Sequence, residues 1–419
     1  MMKVVMVEPK KPAYITEIGD DLEALQKAVG GYIEPIYYLG DPRAVMVGND
    51  EAKLIGLEGG YLMKQGITLQ ELAAEITRQQ EAKADYLADT GAMSMVESEN
   101  GLSFELEGRN DGFKINDNAH SQIGQHLGIP AKYYAKMQAE SPELLTQNVN
   151  HWLHSQTSQR MLRTLDGKLR AFLSDRYRRI DNGEIAETVL PIIAGMKTAQ
   201  VKSCQITETR MYIKVVNPRI QAEIKVGDIV QSGVIISNSE VGCGSVSISP
   251  LIYRLACTNG MVAQDGGVRK YHIGRANDAD FDMGIFKDET IEADDRAFLL
   301  KVRDAVTAAA DQTAFNRIVR QMRDATEAKI EPIVVPKVVE LTSKQFGMTI
   351  SEGEGILGHL IEGGDLSLYG VANAITRYAQ DVNSYDRSTE LEATGYKVLT
   401  MAPGAWKDIQ QRAGKEVSV

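Results

Sequence analysis

The sequence is poor in cysteine and histidine, holds no long apolar run and carries no net positive charge. Its three cysteines, Cys204, Cys243 and Cys257, are odd in number and widely spaced, with no Cys-x-x-Cys. That pattern fits a reducing compartment, so a cytoplasmic protein is expected. No apolar stretch is long enough to span a bilayer, so no membrane role is expected. The first residues, MMKVVMVEPKK, lack the basic–apolar–small order of a signal peptide. The formal charge of −11 argues against a uniformly basic nucleic-acid binder. The distribution differs from the sum. Between His151 and Ile180 there are seven basic residues and two acidic ones in an otherwise acidic chain.

At 419 residues, with 43% hydrophobic and 25% charged content, the chain is long enough for two or three ordinary domains. An α+β fold is expected: a small α+β unit over 1–62, a central antiparallel sheet with flanking helices over 66–287, and a mainly helical region over 288–419. In the first unit, strands are read at Val4–Val7, Ala13–Ile18, Tyr32–Leu39 and Ala44–Val47, with a helix over Leu22–Val29. Thr68-x-x-Glu71 is a capping box that opens a helix to about Tyr86. The centre is organised around VQSGVIISNSEVGCGSVSISPLIYRLACTNGMV, residues 230–262. Val230–Ile236 reads as a buried strand and Ser245–Ser249 as a half-buried one. Ser249 and Pro250 then suit a helix start, Leu251, Ile252, Leu255 and Ala256 an apolar stripe, and Asn259-Gly260 its stop.

MLRTLDGKLRAFL, residues 161–173, reads as a hairpin closed by an Asp166-Gly167 type I′ turn. The shortest register sets Arg163 opposite Arg170, with Met161, Leu165, Lys168 and Phe172 on the same face. Like charges facing across strands destabilise a hairpin by themselves. A phosphate backbone would relieve that, and Phe172 would offer a base a ring to stack on. Arg176, Tyr177, Arg178 and Arg179 continue the pattern. The expected nucleic-acid surface is therefore Arg163, Lys168, Arg170, Phe172, Arg176, Tyr177, Arg178 and Arg179. The competing expectation pairs these arginines with Asp166, Asp175, Asp181 or more distant acids.

Other features specify less. Asn118–Leu127, Gly128-Ile129-Pro130 and Ala131–Glu140 read as helix, turn, helix, with Ile123, Leu127, Ile129 and Met137 filling the angle. Lys132, Tyr133, Tyr134 and Lys136 would be the groove-facing residues, unless this is an ordinary helical corner. Gly353-x-Gly355-x-x-Gly358 matches a dinucleotide fingerprint but lacks the βαβ setting, and Ser351-x-x-Glu354 explains it as a capping box. His151-x-x-His154 has no third metal ligand at a familiar spacing. Cys257 reads as a core residue. No catalytic set, cofactor or metal is assigned, and an enzyme is the less favoured reading.

AFLSDRYRRIDN, SNSEVGCGSVSISPLIYRLACTNGMV and LYGVANAITRYAQDVNSYDRSTELEATGYKVL resemble the family called domain of unknown function 932, over roughly Gly66 to Trp406. MKVVMVEPKKPAYITEI and LEALQKAVGGYIEPIYY, within residues 1–60, resemble domain of unknown function 3846. The resemblance implies a prokaryotic mobile element, phage or plasmid. With the basic hairpin it leads to the expectation of a protein that binds DNA, single-stranded by preference, in recombination or replication, by annealing for example. The alternative is an interaction protein that inhibits a host defence and binds a host or phage protein through its acidic surface. A homo-oligomer is compatible with either.

Overall fold

A computed structural model describes residues 2–6, 14–18, 33–38, 45–49, 66–98, 101–109, 111–196, 198–256, 259–263, 268–270, 288–309 and 312–417. The chain divides into two compact units, Met1–Tyr61 and Leu62–Val419. The fold is α+β.

In the first unit, β1 (Met2–Met6) pairs antiparallel with β2 (Tyr14–Ile18), and β3 (Ile33–Tyr38) pairs antiparallel with β4 (Val45–Asn49). They overlap the four expected strands, with ends shifted by up to two residues. The helix expected over Leu22–Val29 lies outside the described residues.

The second unit opens with α1 (Leu69–Ala82), whose N-terminus is closed by the Thr68/Glu71 capping box. The helix stops at Ala82 rather than Tyr86, because β5 (Lys83–Asp89) joins a sheet. That sheet also holds β6 (Met93–Ser98), β7 (Gly101–Leu106), β8 (Phe113–Ile115), β9 (Gln159–Leu165) and β10 (Lys168–Ser174). Its order is β5-β9-β10-β8-β7-β6, antiparallel except where β10 runs parallel to β8. One face is covered by α2 (Asp117–His126), α3 (Ala131–Glu140) and α4 (Pro142–Ser155). They close a core with Met93, Met95, Phe104, Leu162, Leu169 and Phe172.

After α5 (Asn182–Gly195), a second sheet takes the order β11-β12-β13-β14-β15, with β16 also on β14. The strands are β11 (Gln200–Ile206), β12 (Met211–Glu223), β13 (Ile229–Asn238), β14 (Val246–Arg254), β15 (Asn259–Val262) and β16 (Val268–Lys270). Alternate residues of β12 and β13 supply two cores. Met211, Ile213, Val234 and Ile236 pack with α1, α5 and the helix α6 (Asp288–Ala309). Tyr212, Val216 and Ile235 pack with Tyr385 and Ala393.

The helix expected after Pro250 does not form. Leu251 joins the Tyr212 core and Ile252 a different core, the one formed with the C-terminal helices, so neighbouring apolar residues part company, as they do in a strand. A sheet covered on both faces takes a continuous apolar run, and a short run of that kind reads equally well as helix. Pro250 sits where the outer partner of β14 changes from β16, which ends its pairing at Ile248, to β15, which begins at Leu251. Its missing N–H interrupts neither ladder. Asn259 and Gly260 pair with Arg254 and Tyr253 instead of ending a helix. Cys257 lies outside the described residues.

The rest is helical: α7 (Gln312–Glu327), α8 (Val335–Gln345), α9 (Ile350–Gly363), α10 (Leu368–Tyr378), α11 (Tyr385–Leu399) and α12 (Pro403–Val417). The capping box of α9 is Thr349 with Glu352, two residues before the expected pair. Gly355 lies inside α9, where a Cβ would stand 2.2 Å from the Tyr378 ring. The glycines of this stretch therefore belong to a helix and its packing, not to a phosphate loop. These helices share one core with Ile224, Val230, Ile252, Met261 and Ala263 of the second sheet. No helix among the described residues is long and apolar enough to cross a membrane.

Candidate nucleic-acid interface

The hairpin turn forms as its residues dictate. Asp166 and Gly167 take φ of 51° and 71°, the pair of positive values a type I′ turn needs. The register holds for Lys168 with Leu165 and Leu169 with Thr164, and then shifts. Arg170 is skipped in a bulge, so Arg163 faces Ala171, Leu162 faces Phe172 and Met161 faces Leu173. The expected Arg163–Arg170 opposition is absent. An extra residue in one strand re-aims the side chains beyond it.

Both arginines are buried. The Arg163 side chain is 0% exposed. Its Nε donates to Asp85 Oδ1 at 2.9 Å, Nη1 to the Glu240 carbonyl at 2.9 Å and Nη2 to Asp181 Oδ1 at 2.8 Å. Arg170 Nη2 donates to Glu240 Oε2 at 2.7 Å, and Glu240 Oε1 accepts from the Asn182 backbone N–H at 2.7 Å. Lys83 pairs with the other oxygen of Asp181. Three cations thus meet three carboxylates in a neutral set, which Arg179 joins only from the exposed edge. Burial pushes the Asp181 carboxyl up, but Arg163 and Lys83 outweigh it and hold it below its ordinary range. Burial works against the Arg163 charge too, and Asp181 and Asp85 more than offset it.

The aromatic residues are equally committed. Phe172 is 3% exposed and meets Phe104 edge-on at 6.0 Å, so no base reaches its face. Tyr177 is 7% exposed and donates from its hydroxyl to the Ser239 carbonyl at 3.0 Å. Arg178 pairs with Asp294 at 2.6 Å, and Arg179, mostly exposed, reaches Asp85 at 3.4 Å. Lys168 and Arg176 are exposed. Of the eight expected residues, Lys168, Arg176 and Arg179 are open to solvent. Arg163, Arg170, Phe172 and Tyr177 hold the fold together. Arg254 is paired with Asp228 at 2.6 Å.

The structure adds one residue that sequence reasoning missed. Lys168 on β10 stands directly beside Lys114 on β8 in the parallel register, and both are exposed. Lys114 in turn pairs with Ser103 on β7. Alternation places these three away from the helix-covered face that holds Leu169, Phe113 and Phe104. Among the described residues neither lysine has an ion-pair partner. Lys114 was invisible in advance because the pairing of β8 with β10 joins segments far apart in the chain.

The helix-turn-helix forms as read. Gly128 turns the corner at φ 67°, Ile123, Ile129 and Met137 are buried in the angle, and Leu127 is partly buried. The second helix, α3, buries only Tyr134 and Met137, leaving Lys132, Tyr133 and Lys136 exposed. His154 Nε2 bonds the Met93 carbonyl at 2.8 Å and His151 lies edge-on to Trp152 at 5.0 Å.

No curated protein and no solved structure matches the chain. Residues 2–74 match the domain of unknown function DUF3846. Residues 170–402, more than half of the chain, match the domain of unknown function DUF932. Residues 75–169, which build most of the first sheet and α2–α4, lie between the two matches. On the match over residues 170–402, the chain belongs to the DUF932 family.

Proposed function

We propose that the protein binds nucleic acid, single-stranded DNA by preference, through the exposed patch of the first sheet around Lys114 and Lys168. The observation that carries this reading is the Lys114–Lys168 pair. Two exposed like charges adjacent across strands cost a few tenths of a kcal/mol or more. A phosphodiester bridging both ammonium groups removes that cost, and Ser103 beside them offers a hydroxyl. Recombination or replication of a mobile element, with strand annealing as one form, is the process this reading favours. DNA positioned over a sheet by phosphate contacts needs no overall positive charge, only a local one.

The test is a salt-titrated binding assay with a fluorescent single-stranded oligonucleotide and its duplex. Binding to the single strand should weaken as salt rises. Lys114→Ala with Lys168→Ala should lower affinity and flatten the salt slope by roughly one to two, since two phosphate contacts are lost. Unchanged affinity in that double variant removes the site. Tighter binding to the duplex, lost in Lys132→Ala with Lys136→Ala, would favour groove reading by α3, whose exposure supports that second reading. No DNA binding at low salt, with a protein partner co-purifying, would favour the interaction module.

A further inference from the structure

On the outer side of the helix-turn-helix corner the two helices do not close up. A cleft of about 500 Å³ opens between α2 and α3. It begins where the helices touch most closely, since a Cβ on Gly124 would stand 2.9 Å from the Tyr134 ring. Its base is a fixed polar pair, His120 Nδ1 and Tyr134 Oη at 2.9 Å, both residues nearly buried. The α3 wall is low and flat because it is made by Ala131 and Ala135. Two side-chain amides, Gln125 and Gln138, face the space from opposite helices, with Ser121 and Asp117 at one end.

The chemistry of this lining selects its ligand. It contains no lysine or arginine, so it does not suit a phosphate. Amides, a hydroxyl and a carboxylate read donor and acceptor edges, and the carboxylate favours an amino group. Small side chains on one wall leave room for a flat ring. The ligand's charged part would lie outside, where Lys132 and Lys136 form the next stripe of α3, one residue on from Ala131 and Ala135. We infer that the α2–α3 cleft is a nucleobase pocket that takes an amino-bearing base, with Lys132 and Lys136 placed for its phosphate.

Burial keeps His120 below its ordinary pKa despite Asp117, and it pushes the Tyr134 phenol up. The pair therefore stays neutral near pH 7, with Nε2 of His120 left for a further hydrogen bond. The pocket deepens the nucleic-acid reading, since its natural occupant there is a base unstacked from a bound strand.

Free nucleotides test it independently of strand binding. In calorimetric titrations with dAMP, dCMP and dTMP, the amino-bearing dAMP or dCMP should bind at least tenfold more tightly than dTMP. The His120 imidazole signals should shift with saturation. Ala135→Trp, at an exposed position, should fill the cleft and abolish nucleotide binding while the thermal midpoint holds. Lys114→Ala with Lys168→Ala should leave it intact. Absence of nucleotide binding at millimolar concentration, or equal binding by Ala135→Trp, overturns the pocket. Oligonucleotide binding that survives Ala135→Trp leaves the sheet interface standing, so the two proposals fail separately.

Discussion

Arg163 and Lys168 share one hairpin, yet they do opposite work. Arg163 is enclosed by Asp85, Asp181 and the Glu240 carbonyl, whereas Lys168 stands in solvent beside Lys114. Removing the guanidinium takes the buried partner from two carboxylates, leaving Asp181 to Lys83 and Asp85 to the exposed Arg179, a change that costs about 3–5 kcal/mol. Arg163→Ala should therefore lower the urea midpoint sharply, while Lys168→Ala stays within about 0.5 kcal/mol of the parent. A stable Arg163→Ala protein would show that the buried network contributes little. Composition and the Asp-Gly turn were enough to read that the hairpin is basic and where it turns. Which arginines are buried was not legible. Their counter-ions Asp85 and Glu240 lie far away in the sequence, and a bulge at Arg170 undoes the simple register. Asp181 was among the expected partners. A capping-box spacing, Asp181 to Glu184, was open to view, with the Asp181 N–H donating to Glu184 Oε2 at 2.9 Å.

Between elements, the clearest electrostatic tie joins α9 to α11. Arg387 donates to both oxygens of Glu352 at 2.8 Å. Those bonds, with the Thr349 cap, hold the Glu352 carboxyl down at about 2, against an ordinary 4.5. A carboxylate depressed on folding stabilises the native state above its unfolded pKa. Protonation removes that contribution as pH falls through the folded value. The tie should thus be intact at neutral pH and lost progressively between about pH 4.5 and pH 2. Glu352→Gln should cost about 2 kcal/mol at pH 7 and little at pH 2 in denaturant unfolding, since it removes the charge that titrates. An equal cost at both pH values would assign the effect to packing. The helical character of this region was readable, although the cap of α9 lies two residues before the expected one. The strand Leu251–Arg254 was not, because a short apolar run is helix or strand according to what covers it.

Within Leu62–Val419, the second sheet and the C-terminal helices share a core. Val230, Ile252 and Met261 pack with Phe315, Tyr369 and Trp406. Lys214 reaches Glu392 at 2.6 Å, and Asp228 accepts from the Tyr369 hydroxyl at 2.9 Å. A fragment ending at residue 287 would expose that apolar surface and leave Lys214 and Asp228 without these partners. It should be insoluble or bind a hydrophobic dye strongly, whereas the 62–419 fragment should unfold in one transition. A soluble, cooperatively folded 62–287 fragment would show that the sheet is autonomous. The neutral cluster around Arg163 has a consequence at this scale. Its charges come from β5, β9, β10, the residue before α5 and the turn after β13, so it balances only when all five have arrived. Sliding the hairpin by one residue would present Leu162 or Thr164 to the carboxylates of Asp85 and Asp181. The cluster therefore works as a proofreader of assembly, tolerant of the correct chain path and punishing to every near miss.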